Sequence, residues 1–92
     1  MLPKTRPPTP PGEVLAEEFL APMGMTQGQL AEKMGVPIQR VNMVVNGRRA
    51  ITADTALLLA RIFGTSPEFW MNLQAAWDLW HARERLAKSS AT

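Results

Sequence analysis

The sequence predicts an all-α fold, in which five helices form one compact domain behind an extended N-terminal arm. Apolar residues recur at three- and four-residue intervals in five segments, and glycines and prolines separate those segments. No stretch alternates apolar and polar residues as a half-buried strand does. We expect a proline-rich arm over residues 1–8, the helical domain over residues 9–88 and a disordered tail over residues 89–92.

The first two helices have clear start and stop signals. Thr9 is the expected N-cap of the first helix, with Pro10 at the first helical position. That helix should end before Pro22, which cannot donate a backbone hydrogen bond. Thr26 is the expected cap of the second helix, and Gly35 should end it in the left-handed conformation. These signals place two short helices within the first 35 residues.

The second and third helices carry the most informative spacing in the chain. Ala31 is small where two helix backbones would cross, Gly35 can adopt a positive φ in the turn, and Val41 points back at Ala31. The third helix begins at Pro37 and ends near Val45. This spacing is typical of a helix-turn-helix, whose second helix enters the major groove of DNA. DNA binding is therefore the leading hypothesis.

The last two helices repeat the same start chemistry. Thr52 caps a fourth helix that Gly64 closes. The pair Ser66 and Pro67 opens a fifth helix, which we expect to run to about Leu86. With these two, the predicted fold has five helices.

Composition limits the classes of function. The chain has 92 residues, no cysteine and a net charge of +2, which is enough for one domain and leaves no room for a two-domain enzyme. No apolar run approaches the roughly 20 residues that cross a bilayer, so we expect a soluble, cytoplasmic protein without a membrane partner. Residues 27–49 include four basic side chains and only one acidic one, whereas acidic residues cluster in the first helix. The distribution predicts a basic surface separate from an acidic one.

Four residues of the third helix are predicted to read DNA bases. They are Ile38, Gln39, Asn42 and Met43. The amides of Gln39 and Asn42 can pair with adenine, and Ile38 and Met43 can contact thymine methyl groups. The alternative for the two apolar side chains is that they only shield the base of the helix.

A second set of residues is predicted to contact DNA phosphates. It comprises Gln27, Arg40, Asn46, Arg48 and Arg49. Gln27 lies at the N-terminus of the second helix, where the backbone amides attract anions, and the arginines can neutralise further phosphates. Arg48 and Arg49 have a simpler alternative as a solvated turn after the third helix.

The fifth helix is apolar on more than one side, which predicts that a second subunit covers part of it. The residues assigned to this dimer interface are Trp77, Leu79 and Trp80. The alternative is that the tryptophans close the core of the monomer.

The sequence offers little for catalysis or for a metal site. His81, the only histidine, has Asp78 and Glu84 one turn away, and one turn of helix supplies too few ligands for zinc. Glu17 and Glu18 are adjacent on a helix and point in different directions, so they cannot form a glycosidase pair across a cleft. We therefore expect no catalytic residue, no metal and no cofactor.

Several segments together resemble the HigA-type antitoxins of the phage-repressor-like (Xre) helix-turn-helix family. The resemblance covers nearly the whole chain, and its most specific parts are the segments ITADTAL at residues 51–57 and FGTSPEFWMNLQ at residues 63–74. It implies a compact phage-repressor-like domain that forms a homodimer on a palindromic operator and represses its own operon. It also implies that the protein neutralises a HigB-like ribonuclease toxin that cuts messenger RNA on the ribosome.

The toxin-binding surface is assigned from charge alone. The acidic residues Glu13, Glu17 and Glu18 lie outside the helix-turn-helix and are complementary to a basic RNA-cutting partner. A stand-alone helix-turn-helix regulator without a toxin would keep every DNA-facing residue unchanged. A small ribonuclease-like reading frame next to this one would favour the antitoxin, and its absence the regulator.

Overall fold

The computed structural model describes residues 6–90 and contains five helices, with no strand in that part of the chain. Helix α1 covers residues 11–23, α2 is Gln27–Met34, α3 is Ile38–Val45, α4 is Ala53–Phe63 and α5 is Pro67–Ser90. The all-α, five-helix prediction is confirmed. Residues 1–5 of the predicted arm and residues 91 and 92 of the predicted tail lie outside the described residues.

The boundaries of α1 differ from the prediction at both ends. Pro10, not Thr9, is the N-cap residue, and Pro11 holds the first helical position. The helix also continues through Pro22, because residues 15–20 form a π-helical segment in which the Ala21 N–H donates to the Ala16 carbonyl. This wider turn shifts the backbone pairing by one residue, so a proline without an N–H is tolerated near the helix end.

The caps of α2 agree with their sequence signals, whereas Pro37 is the N-cap of α3 and not its first helical residue. Thr26 and Gln29 form a capping box, with distances of 2.8 and 3.0 Å between the side-chain oxygens and the backbone nitrogens. Gly35 ends α2 with a φ of 71°, and the Val36 N–H donates to the Ala31 carbonyl at 3.1 Å. The tight turn between α2 and α3 is therefore formed as predicted.

The core joins all five helices. Its largest fully buried side chains include Leu15, Leu30, Val41, Leu59 and Trp70. The Trp70 indole donates to Thr65 Oγ1 at 2.7 Å, and its ring centroid lies 5.1 Å from that of Phe19. Trp70 is thus a core residue that fixes the start of α5 against α1 and α4.

Two close contacts hold the chain before and after the loop that follows α3. A Cβ built on Gly12 would lie 2.1 Å from the Val44 carbonyl oxygen, so α1 crosses the last turn of α3 at backbone distance. The buried side chain of Gln74 on α5 accepts a hydrogen bond from the Ile51 N–H at 2.8 Å. Because both contacts involve backbone atoms, they fix the path of the chain on either side of the loop that follows α3.

Helix α5 is longer than the sequence signals indicate. It continues past the predicted end at Leu86 and includes Ser89 and Ser90, and residues 83–89 are all exposed. No helix among the described residues has the length and apolarity needed to span a bilayer.

Candidate nucleic-acid interface

Helix α3 presents an open face of side chains opposite its buried side. Val41 and Val44 are buried, whereas Ile38 and Met43 are 45% and 39% exposed and Gln39 is exposed. Three of the four predicted base readers therefore lie together on the accessible side of α3. An α-helix has the dimensions that the major groove of DNA accepts.

Asn42, the fourth predicted reader, is placed differently. It is half-buried, and its Nδ2 donates to Oε1 of Gln27 at the first position of α2. A bidentate contact with adenine uses a donor and the acceptor of an amide, and here one of the two N–H donors of Asn42 already has a partner. The structure therefore links the first residue of α2 to the middle of α3 and leaves the Gln27 amide nitrogen to donate elsewhere.

The N-terminus of α2 lies beside the first residue of α3. A Cβ on Gly28 would be 3.6 Å from Cδ1 of Ile38, an ordinary van der Waals distance. In the first turn of α2, the capping box occupies the Gln29 N–H, while the N–H groups of Gln27 and Gly28 precede the first intrahelical donor. This arrangement places anion-binding amides next to the open face of α3.

The turn after α3 is ordered by its own backbone. Gly47 has a φ of 75°, and the N–H groups of Arg48 and Arg49 both donate to the Met43 carbonyl, at 2.8 and 3.2 Å. The side chains of Asn46, Arg48 and Arg49 are exposed. The two arginines therefore start from a fixed backbone position at the C-terminal end of α3, which suits phosphate contacts.

Arg40 forms a hydrogen bond with the neighbouring helix α4. Its side chain is half-buried, and Nη2 donates to Oγ1 of the buried Thr55 on α4 at 3.3 Å. The guanidinium thus lies against the first turn of α4. Helical spacing does not show which way a side chain as long as that of Arg40 turns.

The other predicted surfaces are separate from the α3 face. Glu13, Glu17 and Glu18 are exposed on α1. On α5, Leu79 is 51% exposed, and Trp77 and Trp80 are half-buried. Neither of these two tryptophans belongs to the cluster of buried residues that forms the core, nor to the partly buried residues packed against it.

His81 packs against Trp77, with ring centroids 4.2 Å apart. Among the described residues no group of three or more His, Cys, Asp or Glu side chains could hold a metal ion. His81 is thus a side chain packed against the Trp77 ring.

Comparison with known proteins places the chain in a family. A helix-turn-helix family model matches residues 17–70. The chain is 49% identical over 80 residues to antitoxin HigA-1 of Vibrio cholerae, covering 87% of this chain and 75% of that protein. The chain belongs to the HigA-type helix-turn-helix family. The resemblance found in the sequence is thereby confirmed.

Two further comparisons bear on the length of the chain and on DNA. Virulence-associated protein I of Dichelobacter nodosus is 49% identical over 69 residues, which are 75% of this chain but only 64% of that relative. The structure of Pseudomonas aeruginosa antitoxin HigA with the higBA promoter has a TM-score of 0.85 and 40% identity, and the match covers 89% of each chain. That relative binds promoter DNA with the same fold.

Proposed function

We propose that this chain is a DNA-binding antitoxin that represses its own operon and neutralises a HigB-like ribonuclease toxin. The observation that carries the proposal is the open face of α3 beside the α2 N-terminus, in a fold that a relative uses on promoter DNA. Gln39, Ile38 and Met43 would contact base edges, while Gln27, Arg48 and Arg49 would contact phosphates. Binding is measured as the affinity for a duplex from its own promoter, compared with a shuffled duplex of equal length.

Substitutions on and beside α3 should separate base contacts from phosphate contacts. Gln39→Ala is expected to weaken promoter binding by about 1–3 kcal/mol and to leave binding to the shuffled duplex nearly unchanged. Arg48→Ala should weaken binding to both duplexes and reduce the slope of log affinity against log salt by about one unit. Fluorescence anisotropy over a salt series measures both effects. If the Gln39→Ala variant kept the full preference for the promoter, α3 would not read bases through this residue.

The proposal includes a homodimer that binds a palindromic operator. Two half-sites lie about 34 Å apart on one side of the duplex, so two copies of α3 must be joined. The exposed Leu79 and the half-buried Trp77 and Trp80 on α5 provide an apolar surface on a different helix from the DNA-contacting face. We assign the dimer contact to this surface.

The acidic side chains of α1 are the proposed toxin contact. Glu13, Glu17 and Glu18 are exposed and would attract a basic RNA-cutting partner. Replacing Glu17 and Glu18 by lysine should slow toxin association and make it less sensitive to salt, whereas Arg48→Ala should leave toxin association unchanged. Stopped-flow association at low and high salt measures this. Equal association rates for the parent and the lysine variant would show that the toxin contact is not on α1. If no toxin gene adjoined the gene for this chain, a stand-alone regulator would be favoured.

A further inference from the structure

We propose that Arg40 is a positioning residue, which sets the orientation of α3 against α4 and thereby the sequence preference of the domain. This inference rests on the proposed operator binding. It assigns Arg40 a role different from a phosphate contact, although the residue lies in the helix that faces DNA. The observation behind this inference is that the Arg40 guanidinium, on α3, lies against the first turn of α4, which Thr52 caps.

The contact between Arg40 and α4 is directional. Nη2 of Arg40 donates to Oγ1 of Thr55 at 3.3 Å, and Thr55 is 1% exposed. Oγ1 of Thr55 also lies 3.2 Å from Oγ1 of Thr52, which accepts the Thr55 N–H as the N-cap of α4. Arg40 is therefore hydrogen-bonded to a buried side chain in the first turn of a capped helix.

Another atom of the Arg40 side chain, Nε, lies in a position that is unfavourable for stability. Nε of Arg40 is buried and has no hydrogen-bond partner among the described residues, and an unsatisfied buried donor of a charged group destabilises a fold. A methionine would occupy the apolar space beside Val41 and Leu59 without that cost. What the arginine adds is a fixed direction, since a hydrogen bond defines the roll of α3 more narrowly than apolar packing does.

The roll of α3 decides which side chains face the groove. Gln39 immediately precedes Arg40, so a rotation of the helix that releases Arg40 from Thr55 also moves the amide of Gln39 relative to a base edge. Amide–base pairing requires good geometry at both hydrogen bonds, whereas phosphate contacts tolerate small displacements. Loss of the Arg40–Thr55 contact should therefore reduce specific binding and spare non-specific binding.

The test compares Arg40→Met with the conservative Arg40→Lys, which keeps a donor for Thr55. We expect Arg40→Met to bind the promoter duplex about threefold to tenfold more weakly, the equivalent of about one net hydrogen bond. Its affinity for the shuffled duplex, its salt slope and its midpoint of thermal unfolding should be unchanged, or the midpoint raised. Arg40→Lys should restore most of the promoter affinity.

Thr55→Val removes the acceptor and leaves the arginine in place. It should cause a similar loss of promoter affinity, and the loss should not add to that of Arg40→Met, because both changes break one contact. This second variant keeps the proposal testable if Arg40→Met does not fold. Additive losses would overturn the proposal.

Two further outcomes would overturn it. If Arg40→Met reduced the slope of log affinity against log salt by about one unit on both duplexes, Arg40 would be a phosphate contact. An unchanged ratio of promoter to shuffled affinity would make it a purely structural residue. If the parent protein itself showed no preference for the promoter, the proposed function would fail; if the parent showed the preference and Arg40→Met kept it, only the role of Arg40 would fail.

Discussion

Replacement of Gly12 by alanine is expected to lower the free energy of unfolding by about 3 kcal/mol, among the largest effects of any single substitution in this chain. The added Cβ would lie 2.1 Å from the Val44 carbonyl oxygen and 2.7 Å from the Val45 carbonyl oxygen. Both atoms belong to the backbone of α3, so no side chain can move aside to make room. Either α1 must shift outward or the last turn of α3 must deform.

Thermal unfolding followed by circular dichroism measures the effect. A domain of this size loses about 4–8 °C in its unfolding midpoint per kcal/mol, so we expect a decrease of about 12 °C or more. Gly28→Ala is the matched control: it also adds one methyl group to a helical glycine, but its Cβ would meet only side-chain atoms at ordinary distances, Cδ1 of Ile38 at 3.6 Å and Oγ1 of Thr26 at 3.8 Å. That variant should be unchanged, or more stable by up to about 1 kcal/mol. Equal midpoints for the two variants would contradict the close crossing of α1 over α3.

The features that local sequence chemistry decides were predictable. Gly35 and Gly64 adopt positive φ at the ends of α2 and α4, and Thr26 and Thr52 cap those helices through their hydroxyl oxygens. Each of these depends only on a residue and its neighbours within one turn. The fold class and the helix-turn-helix follow from them together with the apolar spacing.

The features that depend on packing between helices were not predictable in the same way. The hydrogen bond between Asn42 and Gln27 joins residues 15 positions apart, as does the one between Arg40 and Thr55. Helical spacing places Arg40 and Asn42 near the exposed side of α3, but the direction of each side chain is set by the neighbouring helix. Gly12 carried a signal that sequence reasoning did not use, since a glycine in the first turn of a helix often marks a close backbone approach.

The start and end of α1 illustrate a different limit. Proline was read as a helix stop, yet a π-helical segment over residues 15–20 changes the backbone pairing before Pro22. Phe19, which lies in the same segment, packs against Phe63 and Trp70, and its ring centroid is 5.1 Å from each of theirs. A π turn gains from such tertiary contacts and not from local propensity, so propensity alone cannot predict it.

Replacement of Leu79 by aspartate is expected to abolish the proposed dimer and to weaken operator binding by about 100-fold or more. Leu79 is 51% exposed on α5, so the substitution introduces little strain in the monomer. In a dimer contact it would bury a carboxylate without a partner, which opposes association. A monomer would then occupy one half-site at a time. It would lose the gain in affinity that comes from joining two copies of α3 in one dimer.

The matched control for this experiment is Leu57→Asp. Leu57 on α4 is 52% exposed, so the two leucines are equally accessible and differ only in the helix that carries them. Sedimentation velocity at micromolar concentration should give a dimer for the parent and for Leu57→Asp, and a monomer for Leu79→Asp. Operator titrations should follow the same order, while binding to a single half-site should be alike in all three. A dimer that persists in Leu79→Asp but dissociates in Leu57→Asp would place the contact on α4, and a monomeric parent protein would contradict the homodimer itself.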